Sequence, residues 1–319
     1  MEPIESRIRR SGYFLRRRDL LRLGYSDSHI RRSLETRRIF RVRQGWYSVP
    51  DAPQPAIRAV RVGGRLTSIS ALESYGLRVP RRPELHVAVP ETASRLRKPD
   101  DRQRRLTARD AVRVHWIDRP GVGGTVWQVS IEDALLAVLL EETRDIAVAC
   151  CSAVLRHRKL SSARLDAVFR RAPQRVQIWR PLASALDDSH GETFLRVSFE
   201  DAGMPYVQQP YVVGVGRPDF KVSPHVYVEV DGGQHDPEWT GEGDSTYEPD
   251  HDRDTTMAID GDRVLRYTYR QLYRHRSRVL AAINRVIADD LALTAHRRRH
   301  PYRPRVRRKR RRTAARMPV

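Results

Sequence analysis

The sequence has no long hydrophobic run. Its stretches of apolar residues are short, as at residues 134–140, whereas a helix that spans a bilayer needs about 20 such residues. No apolar stretch follows the charged residues at the N-terminus, so we expect no cleaved signal peptide and a cytoplasmic location. A membrane partner is therefore not predicted.

Cysteine and lysine are both scarce. The two cysteines, Cys150 and Cys151, are adjacent; neighbouring cysteines rarely pair and form no zinc motif by themselves. We expect them to be small buried side chains in an apolar stretch. Only four of the 60 basic residues are lysines, and the net charge is +21. Such an excess of positive charge indicates an anionic partner, with nucleic acid as the first candidate.

Much of this charge lies at the C-terminus. Residues 297–319 contain twelve arginines and lysines and no acidic residue, and the rest of the chain carries a net charge of +9. This composition is typical of a disordered arm that adds salt-sensitive affinity for DNA or RNA without reading bases; a dispensable segment is equally consistent with it. The helix and strand patterns predict a multidomain α+β or α/β protein. The predicted domains are residues 1–50, 51–180 and 186–292, followed by a basic tail over 293–319.

The first 50 residues have the layout of a winged helix-turn-helix. A helix is predicted over residues 13–23, ended by Gly24, and a second helix starts after Ser26 as its N-cap. A hairpin with Gln44 and Gly45 at its turn follows. The second helix would enter a major groove, and the hairpin would approach phosphates. The side chains expected to contact DNA are His29, Arg31, Arg32, Arg37, Arg41 and Arg43.

This segment resembles the N-terminal winged-helix domain of the AbiEi family of antitoxins. In that family the wing ends in a pattern that this chain carries as Gly45, Tyr47, Val49 and Pro50. Residues 51–180 resemble the α+β middle region that follows. The resemblance implies DNA as a partner and a toxin–antitoxin context with a cognate toxin.

Residues 51–180 contain no paired carboxylates, ligand cluster or phosphate-binding loop. We therefore interpret this block as a spacer and interaction domain. His86 and His115 stand alone on predicted strands, and such histidines are more often structural than catalytic.

Carboxylates on predicted neighbouring strands indicate a metal site in the C-terminal domain. The side-chain period of two places Glu229 and Asp231 on one face of a strand over residues 226–231, and an antiparallel neighbour would bring Asp219 into range. Glu192, on a preceding helix, would close the cluster. Clustered carboxylates are stable mainly around a divalent cation, and oxygen ligands favour Mg²⁺ or Mn²⁺. In the alternative interpretation the strand simply ends in a turn and Asp219 is exposed.

The arrangement resembles the PD-(D/E)XK nuclease superfamily, and in particular its very-short-patch-repair (Vsr)-like branch, over residues 186–290. The resemblance implies a restriction-endonuclease-like mixed β-sheet flanked by helices, and metal-dependent hydrolysis of DNA phosphodiesters in defence, repair or toxin–antitoxin contexts. It also implies that Asp219 and Glu229 bind Mg²⁺ or Mn²⁺ with support from Glu192. Asp231 stands where the wider superfamily has its lysine. The group that activates water is therefore left open between His235 and Lys221.

Residues 234–250 are predicted to form a loop, in which Trp239 and Tyr247 could stack on bases or anchor the loop to the domain. Arg253 is expected to contact a phosphate or to pair with Asp254. The leading hypothesis is a DNA-binding, metal-dependent endonuclease. The alternatives are a non-catalytic AbiEi-like antitoxin or repressor with a degenerate nuclease fold, and an RNA-binding module.

Overall fold

The protein is a mixed α+β molecule. The computed structural model describes residues 2–80, 82–117, 123–231 and 255–299, which form three small sheets. The chain divides into two compact units. The described part of the first unit comprises residues 2–204, 230–231 and 268–274; that of the second comprises residues 205–229, 255–267 and 275–299.

Short helices and a small sheet form the N-terminal part of the first unit. The elements are α1 (Ile4–Arg10), β1 (Phe14–Arg16), α2 (Arg17–Arg22), α3 (Asp27–Glu35), β2 (Phe40–Arg43) and β3 (Trp46–Ser48), with the strand order β1-β3-β2. The predicted hairpin is confirmed, with Gly45 at φ 75° in its turn, and Ser26 caps α3 as predicted. The helix predicted over residues 13–23 is wrong in its first part. Phe14 is fully buried in a strand that pairs with β3, and this long-range pairing overrides the local helical pattern.

A second sheet and a set of helices follow in the same unit. They are α4 (Gln54–Val62), β4 (Arg65–Leu66), α5 (Ser68–Ser74), β5 (Leu85–Pro90), β6 (Val112–Ile117), α6 (Ile131–Glu141), α7 (Arg144–Arg156), α8 (Ser162–Arg171) and α9 (Gln174–Gln177). The strand order is β4-β5-β6, and β5 and β6 run parallel. Cys150 and Cys151 are fully buried free thiols in the core of this region, as the sequence predicted.

Helix α10 (His190–Ala202) belongs to the first unit, although the sequence assigned it to the C-terminal domain. It starts after the N-cap Ser189 and ends at Gly203, which has φ 60°. Phe194 is buried in the same core as the two cysteines, and Asp201 pairs with Arg144 of α7. Helical periodicity reveals the apolar face of such a helix but not the neighbour that covers it.

The third sheet has the strand order β10-β9-β8-β7. Its strands are β7 (Val207–Gln208), β8 (Phe220–Ser223), β9 (Val226–Asp231) and β10 (Arg263–Thr268), and β8 is antiparallel to both β7 and β9. The strands predicted over residues 206–213 and 217–222 are shorter than expected. Gln209 has φ 49°, and Pro210 and Pro218 have no N–H group for a strand ladder.

Helix α11 (Tyr269–Arg299) follows β10 and is kinked at His275. It continues well beyond residue 287, where the sequence predicted its end, and it includes residues 293–299, which the sequence placed in a disordered tail. No helix among the described residues is both long enough and apolar enough to cross a membrane.

Candidate functional site

Asp219 and Glu229 belong to the second unit, where Asp219 immediately precedes β8 and Glu229 lies in the antiparallel neighbour β9. Phe220 pairs with Val228, and the next residues outward in this register are Asp219 and Glu229. On the other side of β8, the hydrogen bonds to the segment of β7 also reach Asp219. Its carbonyl accepts a hydrogen bond from the backbone N–H of Gln209 at 2.8 Å. Directly opposed residues in an antiparallel pair have Cβ atoms about 4.5–5.5 Å apart. From this register, extended by one residue, we expect the two carboxylates to lie near each other.

Lys221 lies on the same face of the sheet as these carboxylates. It is two residues after Asp219 and pairs with Tyr227, which is two residues before Glu229, so the period of two places all four side chains on one face. The Lys221 Nζ lies 5.1 Å from the centre of the Tyr227 ring, a cation–π contact that orients the ammonium group. The described structure thus combines two carboxylates with one ammonium group.

Arg266 of β10 contacts the site from the neighbouring strand. Its Nε donates a hydrogen bond to Oε2 of Glu229 at 3.0 Å, and the Glu229 side chain is 15% exposed. The sequence analysis gave Arg266 no role. A role for this arginine could have been predicted only from the pairing of β9 with β10, which the sequence does not reveal.

The other two predicted carboxylates, Glu192 and Asp231, belong to the first unit. Glu192 is 4% exposed, and its Oε2 accepts a hydrogen bond from the backbone N–H of Asp188 at 3.0 Å. The Glu192 N–H donates to Oγ of Ser189 at 3.1 Å. These bonds stabilise the start of α10, and the spacing of Ser189 and Glu192 is the sequence signature of such a cap. Asp231 is half-buried at the end of β9.

A cluster of three or four metal ligands is not assembled by the residues that the structure describes: no group of three His, Cys, Asp or Glu side chains there could hold a metal ion. His235 and Arg253 lie outside the described residues, as do Trp239, Tyr247 and Asp254. The roles assigned to them stay predictions.

The residues predicted to contact DNA are mostly exposed. Arg31, Arg32, Arg37 and Arg41 are exposed, and His29 is exposed on the first turn of α3. The His29 ring takes part in the helix cap, with Nδ1 accepting a long hydrogen bond of 3.4 Å from the backbone N–H of Ser26. Capping is therefore one role of His29, which the sequence assigned to DNA alone.

Arg43 differs from its predicted role at the hairpin. Its guanidinium packs against Gly63, and its Nη2 donates to the Arg95 carbonyl at 3.3 Å. Burial lowers the pKa of Arg43. The side chain is thus used for packing within the first unit. The alternation of a short strand suggests that Arg41 and Arg43 share a face, but it does not indicate which of the two the rest of the chain covers.

His86 and His115 are neighbours rather than isolated histidines. The parallel pairing of β5 with β6 places Nδ1 of His86 3.0 Å from Nε2 of His115, and Nδ1 of His115 lies 2.6 Å from Oε1 of Glu141. Burial raises the pKa of Glu141, but the hydrogen bond from His115 and the positive charge nearby outweigh it and hold that pKa below its ordinary value. The histidines are 1% and 6% exposed. We interpret this chain of hydrogen bonds as structural.

No protein-family model matches this chain, and no curated protein matches it. Among solved structures, the chain is similar to the catalytic domain of the homing endonuclease I-Bth0305I, with 15% sequence identity and a TM-score of 0.22. The similarity covers 35% of this chain and 97% of that one. The AbiEi-like and Vsr-like resemblances stay predictions.

Proposed function

We propose that this protein is a DNA-binding endonuclease that hydrolyses phosphodiester bonds with the help of Mg²⁺ or Mn²⁺. The observation that carries the proposal is the antiparallel pairing of β8 with β9, whose register runs toward Asp219 and Glu229 and puts Lys221 on the same face as Glu229. Magnesium is commonly bound through one or two carboxylates together with water and substrate phosphates. Two carboxylates therefore fit such a cation, which would supply an activated water and stabilise charge on the phosphate.

The residues around the carboxylates have separate tasks in this proposal. Arg266 holds the Glu229 carboxylate in place through its hydrogen bond. Lys221 supplies a positive charge on the face where a phosphate would lie, and it takes the position of the water-orienting group that the sequence left open. Glu192, Asp231 and His235 are further candidates that mutagenesis has to test.

The N-terminal part of the first unit is proposed to be a winged helix-turn-helix that holds DNA. Support comes from the order α1-β1-α2-α3-β2-β3 and from the exposed arginines on α3 and β2. Helix α3 is the candidate recognition helix. Arg31, Arg32, Arg37 and Arg41 would contact phosphates or base edges, and Arg43 is withdrawn from this set.

Plasmid cleavage tests the hydrolytic proposal. Supercoiled DNA is incubated with the full chain and Mg²⁺ or Mn²⁺, beside Asp219→Asn and Glu229→Gln, which keep the side-chain shapes. Wild type should nick the plasmid, EDTA should stop the reaction, and both variants should lose most of the activity. Equal nicking by wild type and the variants would identify a contaminating nuclease.

One observation favours a second candidate function, a non-catalytic DNA-binding repressor or antitoxin. The described residues gather no third metal ligand around Asp219 and Glu229, and Glu192 caps a helix. Tight DNA binding by the wild type without nicking under any of these conditions would favour this function.

A further inference from the structure

A groove of about 770 Å³ opens in the first unit, away from the carboxylates discussed above. Residues from the end of α3, from β2 and from the loop at 100–103 line it. Leu34, Phe40 and Pro50 contribute apolar surface. Four arginines also line the groove: Arg37, Arg41, Arg61 and Arg102. The groove therefore combines apolar contact surface with a high density of guanidinium groups.

The aspartates that line the groove have ion-pair partners outside the lining, and both also interact electrostatically with Arg61. Oδ1 of Asp100 lies 3.3 Å from Nε of Arg58. Asp101 accepts a hydrogen bond from the backbone N–H of Gln103 at 2.8 Å and lies 3.4 Å from Nε of Arg104. Neither Asp100 nor Asp101 forms an ion pair with a lining arginine within the described part of the chain. The positive charge of the groove is thus only partly offset.

Arg61 carries a buried donor that lacks an acceptor. Its Nη1 donates to the Pro99 carbonyl at 2.8 Å, but its Nε is buried and has no hydrogen-bond partner among the described atoms. Burial is also the main reason why the pKa of Arg61 is lowered. This Nε has almost no accessible surface, so it supplies no donor to the groove, and Arg61 contributes its positive charge to the lining.

The exposed arginines of the groove are also available. Arg37 and Arg102 form no ion pair with the residues that the structure describes, and the Arg41 guanidinium lies 5.9 Å from the centre of the Tyr47 ring. Guanidinium groups match phosphate oxygens in a planar, bidentate geometry. Small-molecule sites commonly have volumes of about 300–1,000 Å³, and this groove lies within that range.

We propose that this groove binds a nucleoside phosphate, either as a free nucleotide or as one unit of a nucleic-acid strand. The arginines would bind the phosphate, and Leu34, Phe40 and Pro50 would contact the base. An acidic peptide would satisfy the charge but would not use the apolar surface. The site shares Arg37 and Arg41 with the proposed DNA-binding surface, while Arg61 and Arg102 extend it beyond the winged helix. The inference does not depend on hydrolysis by Asp219 and Glu229.

Fluorescence anisotropy with a fluorescent ATP analogue and the full chain tests this inference. The measurement is made without divalent cation. The absence of probe binding and the absence of plasmid cleavage are therefore independent results. The wild type should bind the probe, and unlabelled ATP should displace it. A single-stranded oligonucleotide that displaces the probe at lower concentration than ATP would identify a strand as the ligand, and the opposite order would identify a free nucleotide.

Two matched double variants locate the binding. Arg37→Gln combined with Arg102→Gln should weaken probe binding by about a hundredfold, since each lost charge-assisted hydrogen bond is expected to cost about tenfold. Arg170→Gln combined with Arg175→Gln removes the same charge from exposed arginines that do not line the groove. This control should change the affinity by less than about twofold, as expected for screened distant charges.

The Arg61→Gln variant tests the positive charge of Arg61 in the groove lining, with circular dichroism to verify folding. A folded variant that loses affinity supports the inference. Three results would overturn it: no probe binding by the wild type at low salt, an equal loss in the groove and control variants, or displacement of the probe by polyglutamate as readily as by ATP.

Discussion

The Nε of Arg266 lies 3.0 Å from Oε2 of Glu229 and joins β10 to β9 at the candidate metal site. The backbone N–H of Arg263 donates to the His225 carbonyl at 2.8 Å. Together with the contact of Arg266 with Glu229, this bond shows that residue numbers increase in the same direction along both strands, as in a parallel pair. The hydrogen bond from Arg266 holds the carboxylate of Glu229 from the side of β10. The position of Glu229 therefore depends on both neighbouring strands.

Replacement of Arg266 should affect the reaction more than the stability. Arg266→Gln leaves the fold intact, because a half-exposed ion pair contributes only about 0–1 kcal/mol, but it frees the Glu229 carboxylate. We expect slower plasmid nicking and a higher Mn²⁺ concentration for half-maximal activity. Arg263→Gln, an exposed change on the same strand, is the control. An unchanged metal requirement in Arg266→Gln would exclude a positioning role for this residue.

Acid should destabilise the first unit through two histidines, the buried His86 and the half-buried His190. Burial is the main cause that lowers the pKa of His86 to about 4 and the only cause that lowers that of His190 to about 4. Their ordinary pKa is 6.5, so the unfolded chain binds protons that the folded chain excludes as the pH falls through this interval. Each histidine should lower the free energy of unfolding by about 1.4 kcal/mol per pH unit there. Above pH 6.5 this contribution is constant.

Denaturant unfolding between pH 7.5 and pH 4.5 measures this effect. His190→Phe should reduce the acid-dependent loss, because the ring still packs edge-on against Tyr269, at 4.4 Å between ring centres, and takes up no proton. The exposed His157→Gln is the matched control and should leave the slope unchanged. The same slope in wild type and His190→Phe would contradict the assignment.

The two cysteines should be unreactive in the folded protein. Both are fully buried, and burial raises the pKa of Cys151 to about 12 and that of Cys150 well above its ordinary value. Thiolate is the reactive form of cysteine. With Ellman's reagent at pH 8 we therefore expect no reaction before unfolding and two thiols per chain afterwards. Rapid reaction of either thiol in the folded chain would show that this core opens.

Arg37 has an unusual backbone conformation, with φ 54° just after the end of α3. Glycine is the usual residue at such a position, and an L-residue there costs about 1–2 kcal/mol. Arg37→Gly should therefore raise the free energy of unfolding by about 1 kcal/mol while it weakens probe binding in the groove. Arg37→Ala removes the charge but keeps the β-carbon, so it should weaken binding without the gain in stability. A loss of stability in Arg37→Gly would contradict the strain argument.

Local signals in the sequence predicted much of the secondary structure. Ser26 was recognisable as a helix N-cap, and its side chain accepts a hydrogen bond from the third residue of α3. The alternation in β9 placed Glu229 correctly on the face opposite Val228. These features depend on residues within a few positions of each other, and for this reason they can be predicted without a fold.

Features formed by distant residues were beyond the sequence. Burial of Phe14 in a strand depends on β3, the contact of Arg266 with Glu229 depends on the order of strands in the third sheet, and the nucleotide groove joins residues near 37–41 to the loop at 100–103. Docking of α10 on the first unit is of the same kind. In each case the local pattern allows several partners, and tertiary packing selects one.

Gly191 and Val230 provide a direct test of how α10 meets β9 within the first unit. A β-carbon at Gly191 would lie 2.6 Å from Cγ1 of Val230, so Gly191→Ala should cost about 1–3 kcal/mol from overpacking. In an open helix the same change would stabilise by about 0.5–1 kcal/mol, since alanine favours helices over glycine. The sign of the change in denaturant unfolding therefore reports the contact. Val230→Ala makes space for the new methyl group, and in that background Gly191→Ala should lose most of its cost, with a coupling of about 0.5–3 kcal/mol. Stabilisation by Gly191→Ala in the wild-type background would mean that the first turn of α10 does not lie on β9.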